Sequence, residues 1–534
     1  MDNNTSWLSD GAESLPPGTV ILQSEHSSDG TVARQPTPSD DPNDPLAWPL
    51  WRKSINYALL MTMTVVIFTA LNVQIIFWNQ MLEDMDVTLK DLTNAQAIQL
   101  VGLALGCVFI IPFAQKYGRR TVYIISTAGV TVGAWWSANM KTSTEVYLTN
   151  LLLGLAGAAN ETAVQMSIRD MFFVHQRGTA NGLYLAAVTA GAFLTPMAAG
   201  AQAEATGFRS SYTTLAAFMT GLTLVFVLMF EETKFVPVIN ASVASVPNES
   251  NFKALDADTK LAPITSQRTL RDQDESLAPP PRKPWPRCMR LQLITPTGES
   301  LLKIFWAPTQ VWWFPAVAWT GFEFASGICW VVVNASIISI VFSKEPYNFN
   351  AAQIGFMSGG PFIGSVLGSA YGGPLVDWAI VKFAKRNNGI FEPEMRLWLM
   401  PFPAVAMSAG LIMFGATADM GMHWIFPSLG AGLFALGFGA ISDITFTLVI
   451  DSYPNLVAQT FVVIAFFRNL VSIAGPFSIT PWMDAMSVTA IFCIAGGISM
   501  AVHLFGIALI LYGKKWRTAI APRYNRLSEQ NQNI

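Results

Sequence analysis

The chain has 534 residues, of which 52% are hydrophobic and only 13% charged, and its mean hydropathy is positive. Soluble domains carry about 25% charged residues, and a larger core does not relieve that need, because the surface around it still faces water. The deficit excludes an ordinary soluble enzyme and points to a lipid-facing surface. A net charge of −3 argues neither way, but the lack of a cluster of basic and aromatic residues argues against a nucleic-acid partner.

The first fifty residues are polar and lack the apolar core of a secretory signal. They are expected to form a cytoplasmic head, 1–55, without a packed core. A bilayer requires about 20 apolar helical residues per crossing, because lipid cannot satisfy an exposed backbone. Six such stretches follow near 56–78, 94–114, 121–140, 146–168, 179–201 and 212–230. A central loop rich in Pro, Ser and charge comes next, placed at 231–308. Six more stretches lie near 309–341, 351–376, 397–417, 424–450, 456–479 and 487–512, and a polar tail, 513–534, closes the chain. The expected fold class is an all-α membrane protein of twelve transmembrane helices, in bundles of six at 56–230 and 309–512. Cys107, Cys329 and Cys493 sit in apolar stretches without metal-binding spacing and read as small hydrophobes.

Basic residues orient the spans. With the head in the cytoplasm, only Lys90, Lys141, Arg209 and Lys344 of the 32 Lys and Arg fall in loops on the far side, and Arg468 lies within a span. An error of one span would scramble this alternation. The expected location is therefore a cell membrane, crossed many times with both termini cytoplasmic; a vacuolar or vesicular membrane is the alternative.

The loop after the second span reads Pro112-Phe113-Ala114-Gln115-Lys116-Tyr117-Gly118-Arg119-Arg120. After the eighth span comes Gly373-Pro374-Leu375-Val376-Asp377. The stretch from Pro112 resembles the loop signature of major facilitator transporters, G-x-x-x-D-R-x-G-R-R, with Pro112 for the glycine and Gln115 for the acid. The stretch from Gly373 resembles a repeat of that signature with the acid intact, and two copies at matching places mark an internal repeat. Asp41-Pro42-Asn43-Asp44-Pro45-Leu46-Ala47-Trp48 with Arg52-Lys53, and Gly207-Phe208-Arg209, are similar to fungal members, the twelve-span drug:proton antiporter branch. The resemblance covers residues 41–517. It implies two pseudo-symmetric six-helix bundles (the major facilitator fold), alternating access, and a cytoplasmic gate at Gln115, Lys116, Gly118, Arg119, Arg120, Gly373 and Asp377. In span five, Gly182, Gly191, Thr195-Pro196 and Gly200 are similar to the antiporter motif of that family, which implies export by proton exchange. Ordinary close packing of small residues is the alternative there.

Ionisable side chains inside spans are costly and tend to mark pathways or pairs. Glu161, Glu323 and Asp443 fall in spans 4, 7 and 10, and Asn72 and Gln74 in span 1. In the family fold those four spans line the central cavity, so these residues, with Arg468 of span 11, are the candidates for proton coupling or the substrate cavity. A rise of about 1.5 Å per residue puts Asp443 and Arg468 at depths that allow pairing. That pairing would leave Glu323 and Glu161 as the leading proton carriers. Trp319 and Trp330 flank Glu323 and are candidates for a cavity wall. His503 reads as a lone packed side chain, and the sequons at Asn160 and Asn334 fall within spans. Glycines 360, 364, 368 and 372 form a close-packing stripe, suited to a rocking or a static interface.

No His cluster, catalytic triad or metal-ligand spacing occurs in the spans, so no enzyme activity, cofactor or metal is expected. The expected partners are protons, the bilayer and a small-molecule substrate, with a monomer as the working unit. Proton-coupled efflux of a drug, toxin or secondary metabolite is the leading function. Uptake of a polyamine or another organic cation is the alternative, and a non-transporting nutrient sensor is the alternative of another class.

Overall fold

The computed structural model describes residues 16–21, 44–234, 291, 300–387 and 390–532. Among these, twelve long helical runs follow one another. They are α1 (Leu50–Asp84), α2 (Leu89–Tyr117), α3 (Arg119–Asn139), α4 (Ser143–Met171), α5 (174–206) and α6 (Phe208–Met229). The second set comprises α7 (Pro315–Phe342), α8 (351–386), α9 (Pro401–Asp419), α10 (Ile425–Ser452), α11 (Val457–Ala485) and α12 (Val488–Gln532). Nine of these runs are long and apolar enough to cross a membrane. α8 is interrupted, while α3 and α4 carry polar residues such as Ser126, Thr127, Thr149 and Asn150, all buried inside the protein rather than facing lipid.

Local chemistry sets the helix ends. Thr88 with Asp91 and Thr142 with Glu145 form reciprocal capping boxes that start α2 and α4. Gly118 and Gly207, with φ of 120° and 82°, separate α2 from α3 and α5 from α6, a backbone region that other residues rarely adopt. Two helices change register internally, through π turns at Ala190–Leu194 in α5 and Tyr371–Leu375 in α8.

Helices α1–α6 pack chiefly on one another, and so do α7–α12. Within the first half, Gly102 lets α2 ride on α4, since a Cβ there would lie 2.6 Å from the Leu151 carbonyl oxygen. Within the second, Gly360, Gly364, Gly368 and Gly372 press α8 against the carbonyls of Ser428, Gly432, Leu436 and Ala440 on α10. That stripe therefore seals α8 to its own half and is not the seam between halves. The seam pairs α2 with α11 and α5 with α8. Two of its contacts lie at the end opposite the one where α1 begins and α12 finishes. There Thr93 of α2 meets Thr480 of α11 at 3.2 Å, and a Cβ on Gly200 of α5 would lie 2.6 Å from the Ala351 carbonyl oxygen of α8.

The head and tail contain more order than their polarity suggests. Val20–Ile21 pairs antiparallel with Ile390–Phe391, and Arg517 donates to the Pro17 carbonyl at 2.5 Å while gripping Glu394 through two bonds of 2.7 and 2.6 Å. Trp48 is buried with the Arg52 guanidinium over its ring. The tail, read from the sequence only as a polar segment at 513–534, continues α12 as helix to Gln532, with Tyr524 buried and Ser528 accepting from Asn455 at 2.8 Å. The rest of the head, Asp41-Pro42-Asn43 of its motif, and the central loop apart from 231–234, Leu291 and 300–308 lie outside the described residues.

Candidate substrate cleft and inter-bundle ion pair

A polar cluster joins the two halves. Glu161 of α4 forms an ion pair with Arg468 of α11, their side chains 8% and 13% exposed. Asn469, the next residue of α11, donates from Nδ2 to Glu161 Oε2 at 2.9 Å, and Arg468 Nε donates to Asn469 Oδ1 at 3.2 Å. The Cys107 thiol of α2 lies 3.7 Å from the same Glu161 oxygen. Glu161 stands ten residues before the end of α4 at Met171, about 15 Å along the helix. A charge at that depth requires a partner, and Arg468 supplies it from across the seam.

This corrects the expected pairing of Arg468 with Asp443. Equal depth does not establish facing: α11 turns Arg468 toward α4, whereas α10 turns Asp443 toward α8. The Asp443 side chain lies against α8, where a Cβ on Gly372 would lie 2.8 Å from the Asp443 Cβ.

Glu323 corrects a further expectation. It is buried between α7 and α12, where its Oε1 is hydrogen-bonded to His503 Nδ1, and His503 Nε2 meets Ser499 Oγ at 3.0 Å. His503 is thus not alone. Trp319 points the same way, donating from Nε1 to the Val502 carbonyl at 3.2 Å, with its ring against Gly506. Trp330 donates to Ser326 Oγ at 3.0 Å and stacks on Trp482 of α11 at 6.5 Å. The three acids therefore do not converge on one chamber. Each is engaged at a different helix contact.

A cleft enclosing about 700 Å³, including its open mouth, lies between α1, α5, α7, α8 and α10. Asn72 of α1, Phe193 of α5, Asn334 of α7, Ser358 and Ser365 of α8 and Phe438 of α10 are among its walls, and among the described residues none that lines it is Asp, Glu, Lys, Arg or His. Glu323 precedes the α7 stretch that lines it, residues 331–338, by eight or more residues, at least about 12 Å. Asn72 lines the cleft. Gln74 does not, because the chain tightens into a 3-10 turn over Val73–Phe77 and buries it. Asn334 carried no sequence signal beyond its sequon.

Of the motif residues in α5, Pro196 lines the cleft, Gly191 abuts the Val65 carbonyl of α1 and Gly200 the Ala351 carbonyl of α8. Gly182 faces open space. Thr195 and Thr69 join α5 to α1 by a hydroxyl pair at 2.5 Å.

The loop after α2 is a corner of charge-assisted bonds. Gly118 supplies the positive φ. Arg119 pairs with Asp170 at 3.1 Å, and the Arg119 and Arg120 amides donate to Glu232 at 2.9 and 3.1 Å. The Arg120 guanidinium donates to the carbonyls of Phe230, Val227 and Leu291. The Lys116 carbonyl accepts from Lys234 Nζ at 2.8 Å, and Gln115 is half-buried beside it. In the repeat, Arg396 bridges Asp377 at 2.9 Å and Asp451 at 2.7 Å, while a Cβ on Gly373 would meet nothing within 4 Å.

Apolar spanning helices in two halves, with a cleft and a buried ion pair between them, define a multi-pass membrane carrier. The chain belongs to the Major Facilitator Superfamily, whose profile matches residues 59–476. An uncharacterized MFS-type transporter of Schizosaccharomyces pombe is 28% identical, over 98% of this chain and 97% of that protein. Protein HOL1 of Saccharomyces cerevisiae is 24% identical over 95% and 94%. The efflux pump FUBT of Fusarium oxysporum is 22% identical over 79% of this chain and 66% of its own length. The chain is accordingly a membrane transporter of small molecules, of a fungal kind and of a non-enzymatic family.

Proposed function

We propose that this protein exports small organic molecules by alternating access, driven by proton exchange, and that the Glu161–Arg468 pair is where the proton acts. The observation that carries this reading is the position of that pair: one partner on each half, buried, at the seam that has to part when access switches. A proton delivered to Glu161 removes its charge and frees Arg468, which weakens the joint between α4 and α11. Loss of the proton on the other side restores the joint. Substrate occupies the neutral cleft, and the contacts of Gly200 with Ala351 and of Thr93 with Thr480 close the cleft at the end away from the termini.

The distribution of basic residues supports cytoplasmic termini. Relatives named as efflux pumps support export, as does the motif of Gly182, Gly191, Pro196 and Gly200. Glu161 pairs with Arg468, and Glu323 is hydrogen-bonded to His503 away from the cleft; uptake of an organic cation is the alternative. Untargeted comparison of cells and medium, with the gene deleted or restored, tests the proposal. Export predicts compounds that build up inside and vanish outside on deletion, with Glu161→Gln matching the deletion. Compounds that instead fall inside the deleted cells would establish uptake.

A further inference from the structure

Beyond its π turn, α8 ends in an amphipathic segment, Val376–Arg386. Val376, Ala379, Ile380 and Ala384 are buried, while Leu375, Trp378, Lys382 and Lys385, spaced by three and four residues, share the opposite, exposed face. The Lys382 ammonium lies 5.2 Å from the centre of the Trp378 ring, and Arg386 is exposed one turn further on. Trp398, also largely exposed, leans its ring on Phe383. The pairing of Val20–Ile21 with Ile390–Phe391 puts this end of α8 on the side of the termini. Other cations there are engaged by acids: Arg396 by Asp377 and Asp451, Lys514 by Glu392 and Arg517 by Glu394. Among the described residues, the side chains of Lys382, Lys385 and Arg386 have no acid or hydrogen-bond partner. Trp378 stands 27 residues after Ala351, about 40 Å along α8, about the depth of a bilayer with both headgroup layers.

We infer that this face is a binding site for anionic phospholipids in the leaflet on the side of the termini. Lys382, Lys385 and Arg386 take the charged headgroup, and Trp378 and Trp398 rest on the glycerol and the upper acyl chain. Indole rings favour the level where chain meets headgroup, and long basic side chains reach from an apolar stem to the phosphate. Each cation near an anionic lipid surface strengthens the attraction about fivefold. A zwitterionic headgroup returns most of that gain, because its own ammonium stands beside its phosphate. Asp377 opens the same segment, but Arg396 neutralises it. The site concerns lipid and not the transported molecule, and it does not depend on the direction of transport.

Lipid retention by the full-length protein tests this. The protein in neutral detergent micelles is mixed with equal amounts of phosphatidylserine and phosphatidylcholine of the same acyl chains and passed over gel filtration. The lipid carried in the protein peak is then counted by mass spectrometry. The wild type holds phosphatidylserine about tenfold or more over phosphatidylcholine. Lys382→Gln/Lys385→Gln/Arg386→Gln brings the two close to parity, with an unchanged elution volume showing that it folds. Lys303→Gln/Lys515→Gln/Arg526→Gln removes as many exposed cations from elsewhere on the same side and keeps the wild-type ratio. Added inorganic phosphate leaves that ratio unchanged. Equal retention of the two lipids by the wild type overturns the inference. So does a patch variant that keeps its preference, or a scattered variant that loses as much, which would assign the effect to overall charge. Displacement of phosphatidylserine by inorganic phosphate overturns it as well, since the site would then serve free anions.

Discussion

Arg468→Leu isolates the energy of the joint between halves. Removing one partner of a buried ion pair costs about 3–5 kcal/mol, because the remaining charge is stranded. The lower edge applies here: the two side chains retain 8% and 13% exposure, and Asn469 still donates to Glu161 at 2.9 Å. The loss falls on the arrangement described above and not on one in which Glu161 meets water. A penalty of about 3 kcal/mol shifts the balance roughly 100-fold, so a population closed 99:1 would drop to about half. Thr93→Cys with Thr480→Cys reports closure, since the two hydroxyls lie 3.2 Å apart. After oxidation, cutting a protease site inserted between the halves leaves them joined only if the disulfide formed. Cross-linking should fall by about half in Arg468→Leu. It should return close to the parent level in Glu161→Leu/Arg468→Leu, where no charge is stranded. Unchanged cross-linking in a folded Arg468→Leu protein would refute the joint.

Other residues give sharper contrasts. Gly364→Ala puts a methyl into the Gly432 carbonyl and should lower the yield of folded protein on gel filtration, a penalty of about 1–3 kcal/mol or more, whereas Gly373→Ala, with open space around it, should match the parent. Glu323→Gln retains a hydrogen-bonding group beside His503 and lies off the cleft, so secretion of the exported compounds should persist in it and fail in Glu161→Gln. Arg517→Leu strands Glu394 and releases the Pro17 carbonyl. It should cost about 3 kcal/mol, seen as a lower melting midpoint, and should speed limited proteolysis near residues 16–21.

The sequence disclosed the twelve helices because a bilayer imposes a minimum apolar length, and the alternation of Lys and Arg supported that count. Depth was also legible, since rise per residue is constant. Facing was not. Arg468 lies level with Asp443 yet bonds to Glu161, a residue 307 positions earlier, and nothing local to either residue encodes that rotation. The Glu323–His503 pair spans 180 positions in the same way. The Val20–Ile21 strand escaped notice because a two-residue pairing leaves no periodic pattern. Asn334 escaped because a single amide among apolar neighbours has meaning only once the opposite wall is known.

Each of the four helices paired as α2 with α11 and α5 with α8 contains a flaw. α2 holds Pro112, α5 and α8 each hold a π turn, and α11 breaks near Ile473 and carries Pro481. An unbroken helix resists bending, but prolines and π turns are where kinks form. The seam is thus made of jointed rods and not of stiff posts. One mouth of the passage can widen by flexing at these knuckles while the far portion of the same helix keeps its neighbours.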